Sequence, residues 1–252
     1  MVKKLPVTKV THWNAPPKND VRVLGMPNIP DPLQGPGCQP RTIAGTKKWD
    51  EMRKKCYEDA GYKCEICGYE HQTPGDLHAH EIMSVDYKTG VEKFERLVCA
   101  CRQCHLGFIH SGRALTFYKH GDPLYSKEKL LAGVEHGFKL ISEYNKTHKR
   151  PIKVFSTIAT YTNEPELRDD MLELINRYHI EFYGPVSGKQ QAKWEDWKLV
   201  WNGREYRTPY KDHADYEQKM QQLNKKQDRF GKTDRMKGGV FDELDELLKE
   251  EK

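Results

Sequence analysis

CEICGYEHQTPGDLHAHEIMSVDYKTGVEKFERLVCACRQCH, residues 64–105, is the stretch on which the reading of this chain turns. It opens on one Cys-x-x-Cys pair, Cys64 and Cys67, and closes on a second, Cys101 and Cys104, with His105 directly after it. Each pair can present two thiolates to one ion, and four soft sulfur donors in two such pairs predict a structural zinc site. Thiol–disulfide exchange needs only one such pair. Cys99 lies two residues before Cys101 on a strand and is an alternative fourth sulfur. Between the pairs, residues 77–83 and 91–99 alternate as strands. DYKTG, with Gly90 for the turn, joins them into a hairpin. The second pair opens a short helix over about 102–110.

Four sulfurs close a zinc site and leave the histidines unexplained. His78 and His80 share one face of the first strand, and His105 and His110 stand on the helix that follows the second pair. Packing of that helix on the hairpin brings the four imidazoles together. The expected result is a second, open metal site with room for water and substrate.

Outward from this stretch, TKKWDEMRKKCYEDAGYKCEICG (46–68) predicts a helix with Trp49, Met52, Cys56 and Tyr57 on one face and Gly61 as its stop. Residues 1–45 hold eight of the chain's fourteen prolines and read as an extended arm. Residues 125–230 read as a small α+β module. Its helix carries Leu130, Leu131, Val134, Phe138 and Ile141 in one stripe, and PIKVFSTIATYT (151–162) reads as a strand. A third helix is capped by Asn163 and Glu166, WKLVWNGREYRT turns as a hairpin at Asn202-Gly203, and a polar helix covers about 212–229. Trp194, Trp197 and Trp201 read as core and hairpin packing.

The chain of 252 residues carries a net charge of +5. The terminal VFDELDELLKEEK (240–252) contributes −4, which leaves +9 on the remainder. A basic body suits a polyanion such as nucleic acid, and the acidic tail is a candidate docking segment for a protein partner. No run of 18 apolar residues indicates a membrane span, and the N-terminus lacks the apolar stretch of a secretory signal. The expectation is a cytoplasmic protein, with seven cysteines kept as metal ligands or thiols.

WDEMRKKCYEDAGYKCEICG, LHAHEI and CRQCHLGFIHSGR together resemble the zinc-containing HNH endonucleases of bacteriophages and their bacterial relatives. The resemblance covers about residues 46–113. It implies an α+β chain built on a ββα-metal domain at 46–115 pinned by a four-cysteine zinc site. An arm at 1–45, a target- or partner-recognition module at 125–230 and a linker with acidic tail at 231–252 complete the expected organisation. It also implies metal-dependent hydrolysis of DNA phosphodiester bonds, on duplex substrate, in the cytoplasm of a bacterial host. A side-chain base activates water, a divalent ion (Mg²⁺, Mn²⁺ or Zn²⁺) stabilises the phosphate and the leaving 3′-oxygen, and the products carry 5′-phosphate and 3′-hydroxyl ends.

Two assignments of the strand residues follow. In one, His80 is the base, and His78, His105 and His110 hold the ion. In the other, aligned on Leu77 and Ile82, His80 is a ligand and Glu81 the base. The position of the family's orienting asparagine is occupied by Arg96. Strand alternation favours His80, and so does the pKa of histidine near neutrality. Arg96, Arg102 and Arg113 are candidates to hold phosphates. The alternative reading is a zinc-stabilised DNA-binding or adaptor protein that has lost cleavage; an RNA-directed nuclease is a third.

Overall fold

The β3–β4 hairpin is the spine of the molecule. In the computed structural model, which describes residues 7–35, 37–70, 76–184 and 191–229, strand β3 (Leu77–Asp86) pairs antiparallel with β4 (Val91–Cys101). The register runs from Leu77 opposite Cys101 to Asp86 opposite Val91. A bulge at Glu95 interrupts it, between the pairs Ile82–Arg96 and Met83–Phe94. Asp86 accepts the Lys88 N–H in the turn at 2.9 Å, and Gly90 takes the positive φ of 72° that closes it.

The hairpin sits inside a five-stranded mixed sheet in the order β2-β3-β4-β7-β8, where β2 is His12–Trp13, β7 Lys198–Trp201 and β8 Arg204–Arg207. The β4–β7 pairing is parallel and the others antiparallel. Asn202 and Gly203 both have positive φ, 51° and 72°, as the predicted two-residue turn requires. A second, parallel sheet joins β1 (Val7–Lys9), β6 (Phe182–Gly184) and β5 (Val154–Phe155) in the order β1-β6-β5. Helices α1 (Pro40–Asp59), α2 (Ser111–Lys119), α3 (Lys127–Thr147), α4 (Pro165–Arg177) and α5 (His213–Arg229) complete a mixed α+β architecture. Among the described residues, no helix is long and apolar enough to cross a membrane.

The expected boundaries at residues 45 and 125 are not breaks in the packing. The proline-rich segment folds into two short 3₁₀ turns, Val21–Gly25 and Asp31–Leu33, whose Val23, Leu24 and Leu33 are buried. The helix predicted from residue 46 starts at Pro40, with proline in the first turn and a kink at Gly45. β1 and β4 each pair with a strand of the C-terminal half, so the arm, hairpin and module share sheets. The tail at 231–252 lies outside the described residues.

One core fills the His80 side of the hairpin. Ile82, Val98 and Ala100 meet Val134, Phe138 and Ile141 of α3, and Leu167, Met171 and Ile175 of α4. A second core on the opposite side gathers Met83, Val85, Tyr87, Trp197, Leu199 and Leu33. Trp197 and Trp201 are buried, as core packing predicts, while Trp194 is half-buried and donates its indole N–H to the Tyr210 carbonyl at 2.9 Å. The strand expected over 151–162 is only two residues long; Ser156–Asn163 coils into 3₁₀ turns that bury Ile158 and Tyr161. The N-cap of α4 is Glu164, without a side-chain cap, rather than Asn163.

Helix α3 lies unusually close to residues 103–109. A Cβ on Gly107 would sit 2.8 Å from the Gly133 Cα, and one on Gly137 would fall inside van der Waals contact with the Phe108 ring. Gly137→Ala is therefore expected to destabilise the chain by about 1–3 kcal/mol through overpacking, read as a lower urea midpoint with an unchanged slope.

Candidate metal centre

The two Cys-x-x-Cys pairs converge. The sulfurs of Cys64, Cys67, Cys101 and Cys104 all lie within 4.8 Å of one another, and Cys67 Sγ is 3.8 Å from Cys101 Sγ. Zn–S bonds of about 2.3 Å at tetrahedral angles place sulfurs roughly 3.8 Å apart, so the donor set fits the ion. The first pair sits in a tight turn. Gly68 donates its N–H to the Cys64 carbonyl at 2.8 Å with φ 75°, and Cys64 N–H returns to the Tyr69 carbonyl at 2.9 Å. At the second pair the Cys104 N–H points at Cys101 Sγ, 3.4 Å away. These four cysteines can hold a metal ion such as zinc. Cys99 lies outside the cluster.

The cysteines outside the cluster answer to burial, those inside it to one another. Burial pushes Cys38, Cys56 and Cys99 up to about 12, which keeps them as inert thiols. Within the cluster, hydrogen bonding to Cys104 first among its neighbours brings Cys101 down to about 7, and Cys101 and Cys104 hold Cys64 well below the ordinary thiol range. Cys67 and Cys104 move up in exchange, as sulfurs sharing protons must.

Glu65, inside the first pair, is the clasp between that turn and β4. Its buried carboxylate accepts the Cys99 N–H at 2.7 Å and Arg96 Nη1 at 3.2 Å, while its own N–H bonds the Cys99 carbonyl at 2.8 Å. Arg96 also donates to the carbonyls of Leu97 and Pro17, at 3.0 and 2.9 Å. This guanidinium is committed inside the protein, which corrects its expected role as a phosphate contact. Arg102 and Arg113 are exposed. Arg113 stands near the histidines, where its charge lowers His105 and His110, and its guanidinium lies 5.4 Å from the Phe117 ring centre.

The imidazoles do meet. The segment Gln103–Ile109 is not a regular α-helix but a wide turn of π type, in which His110 N–H bonds the His105 carbonyl five residues back at 2.8 Å. In an α-helix two residues five apart point about 140° away from each other. The wider turn puts His105 and His110 on one side, a distortion that recurs at functional sites. Their ring centres are 4.6 Å apart, and His80 reaches both, at 5.2 and 4.8 Å. One ring nitrogen from each of His80, His105 and His110 lies within 4.8 Å of the others. His78 is beside the trio rather than in it, stacked on His105 at 4.7 Å and 13°. The grouping puts His80, rather than His78, in the donor set with His105 and His110.

Two features of this cluster fit a cation. Both ring nitrogens of His80 and Nδ1 of His105 are buried without a hydrogen-bond partner, a cost that an ion taking the one lone pair of each neutral ring would in part offset. Burial also drives all three imidazoles below their ordinary pKa, His110 to about 4, so that each is neutral and able to ligate at neutral pH.

Glu81 is elsewhere. Alternation aims it at the opposite face of β3, with Met83 and Val85; it pairs with Leu97 across the hairpin, feels the charge of Arg41 and acts on the buried Glu92 through its own charge. The reading that pairs a Glu81 base with an ion at His80 is not supported by this placement. Glu92 is 1% exposed, with Oε2 unpartnered, and burial, followed by the Glu81 charge, pushes it up to about 8. A carboxyl raised on folding stabilises the native state fully below its unfolded pKa and loses that contribution as pH rises through its folded pKa. The Glu92→Gln protein is accordingly expected to match wild type in thermal midpoint near pH 5 and to exceed it at pH 9.

Comparison with protein-family models, curated proteins and solved structures found no match for the chain. The site rests on its own geometry. Sequence reasoning missed the Glu65–Arg96 clasp, for which the only signal was an acid placed inside a metal-binding turn. It also missed the π-type turn, which no periodicity announces.

Proposed function

We propose that this chain is a metal-dependent hydrolase of DNA phosphodiester bonds, built on an HNH-like ββα-metal site. One observation carries the reading: three neutral imidazoles, two of them with buried unpartnered nitrogens, converge beside a sulfur cluster that pins the same hairpin and helix. A site with three histidine donors matches catalytic rather than structural zinc, because it leaves a position for water or substrate.

In this reading His80, His105 and His110 hold the ion. Neutral imidazoles suit Zn²⁺ or Mn²⁺ better than Mg²⁺, which prefers oxygen ligands. When bound, the ion supplies Lewis-acid stabilisation of charge on the phosphate and the leaving 3′-oxygen. His78 is the base. It is partly exposed, unlike buried His80, and can take a proton from water, while its stacking on His105 fixes the ring relative to the ion's ligands. Arg113, whose charge reaches His105 and His110, and the exposed Arg102 are the candidate phosphate contacts. The positive net charge, and the resemblance of residues 46–113 to HNH nucleases, support DNA as substrate.

Nicking of supercoiled plasmid tests the proposal. Wild type should nick with Mn²⁺ or Zn²⁺ and stop in EDTA. His78→Ala should lose roughly 10²–10⁴-fold in rate while keeping its metal. If wild-type protein carrying both metals nicks no form of DNA, the zinc-stabilised binding or adaptor protein replaces this reading.

A further inference from the structure

His136 belongs to α3, 32 residues from Cys104, and the fold brings its Nε2 to 3.4 Å from Cys104 Sγ. The approach depends on the glycine crossing. Gly107 follows Cys104 by three residues and Gly133 precedes His136 by three, so the close contact of the two glycines sets the spacing at which an imidazole reaches the sulfur. Cys104 is fully buried, and it immediately precedes His105 in the chain. The orientation of this one sulfur is therefore coupled to the placement of the first imidazole in the neighbouring cluster.

The direction of the hydrogen bond follows from chemistry. A thiol can donate to an imidazole nitrogen or accept from it, but a metal-bound thiolate can only accept. Four thiolates around a divalent cation leave two net negative charges in a buried place, and N–H donors aimed at the sulfurs offset that charge. The backbone N–H of Cys104 already serves Cys101 in this way at 3.4 Å.

We propose that His136 is a positioning residue of the sulfur centre: with zinc bound, its Nε2–H donates to the Cys104 thiolate, holds the ion against release and clamps α3 onto the turn that carries His105. The inference rests on zinc at the four sulfurs and not on hydrolysis of DNA, so a zinc-loaded protein that cuts nothing still tests it.

Two measurements on the full chain decide it. Nitrogen-15 spectra of zinc-loaded wild type should show His136 protonated at Nε2; an unprotonated Nε2 overturns the proposal. Zinc transfer to a chromogenic chelator should be faster by about 10–100-fold in His136→Phe, with His136→Gln, which keeps an N–H donor, falling between it and wild type. A His136→Phe protein that stays folded and releases zinc within twofold of wild type also overturns it. If the phenylalanine variant does not fold, the tautomer in wild type decides the matter by itself. Wild type that binds no zinc removes the basis of the proposal altogether.

Discussion

Cys104→Ser is expected to have the largest effect on stability of any single substitution in this chain. Serine does not supply a thiolate, so three sulfurs remain for an ion that needs four donors. Structural zinc contributes apparent binding free energies of about 10–16 kcal/mol in small metal-dependent folds, against a total stability of about 5–15 kcal/mol for a domain. Loss of even part of this contribution is a large share of the whole. The damage should also be directional. The first Cys-x-x-Cys turn is fastened to β4 by the Glu65 contacts and would be fastened to the second turn by a bound ion, so without the ion the Glu65 clasp and the packing of Cys64 and Ile66 must hold it. Amide exchange should accelerate first in residues 64–70 and 101–110, while the α3–α4 core, with Phe138, Leu167 and Met171 fully buried, keeps its protection longer. Cys38→Ser and Cys99→Ser are the controls. Both residues are buried thiols outside the cluster, and both variants should retain one equivalent of sulfur-bound zinc.

His105→Ala is expected to have the largest effect on activity and a small one on stability. His105 contributes a donor nitrogen to the imidazole trio and is also the ring on which His78 stacks. Its loss removes a ligand and frees the proposed base at once, so nicking should fall by about 10³-fold or more. Stability follows a different logic. In the ion-free chain a buried nitrogen without a partner costs about 1–3 kcal/mol, and alanine removes that cost along with some packing. Urea unfolding of the variant should therefore stay within about 1 kcal/mol of wild type when both carry zinc at the sulfurs and no ion at the imidazoles. This pattern, activity lost with stability kept, is expected where a fold carries unfavourable local groups for function.

Much of this is legible in the sequence, and for identifiable reasons. The four cysteines declare themselves because two pairs at a fixed spacing have few other uses in one chain. The β3–β4 and β7–β8 hairpins are legible because alternation and the turn residues Gly90 and Asn202-Gly203 are local signals. The proline-rich segment is not. Its prolines forbid long regular structure but do not forbid packing, and Leu33 ends fully buried. PIKVFSTIATYT reads as a strand because β-branched residues favour one, yet Ile158 and Tyr161 are drawn into the core by 3₁₀ turns that local propensity does not predict.

At the site, alternation on β3 correctly separates the histidines from Glu81. Which histidines cluster is out of reach of sequence reasoning, because it depends on a wide turn at Gln103–Ile109 that swings His110 toward His80 rather than away. Arg96 reads as available for a phosphate because no local signal ties it to Glu65, 31 residues earlier. His136 gives no sign at all, since its partner is set by two glycines in separate helical segments.

In the proposed reading, sulfur and imidazole form two separate metal centres in one hairpin–helix unit. Elemental analysis with zinc X-ray absorption, on wild type and His105→Ala purified with zinc, tests it most directly. Two ions per wild-type chain, one in an all-sulfur shell and one in a nitrogen-rich shell, with only the all-sulfur ion left in the variant, are expected. A single all-sulfur ion in both proteins would contradict it, and so would a shell that mixes sulfur with imidazole nitrogen.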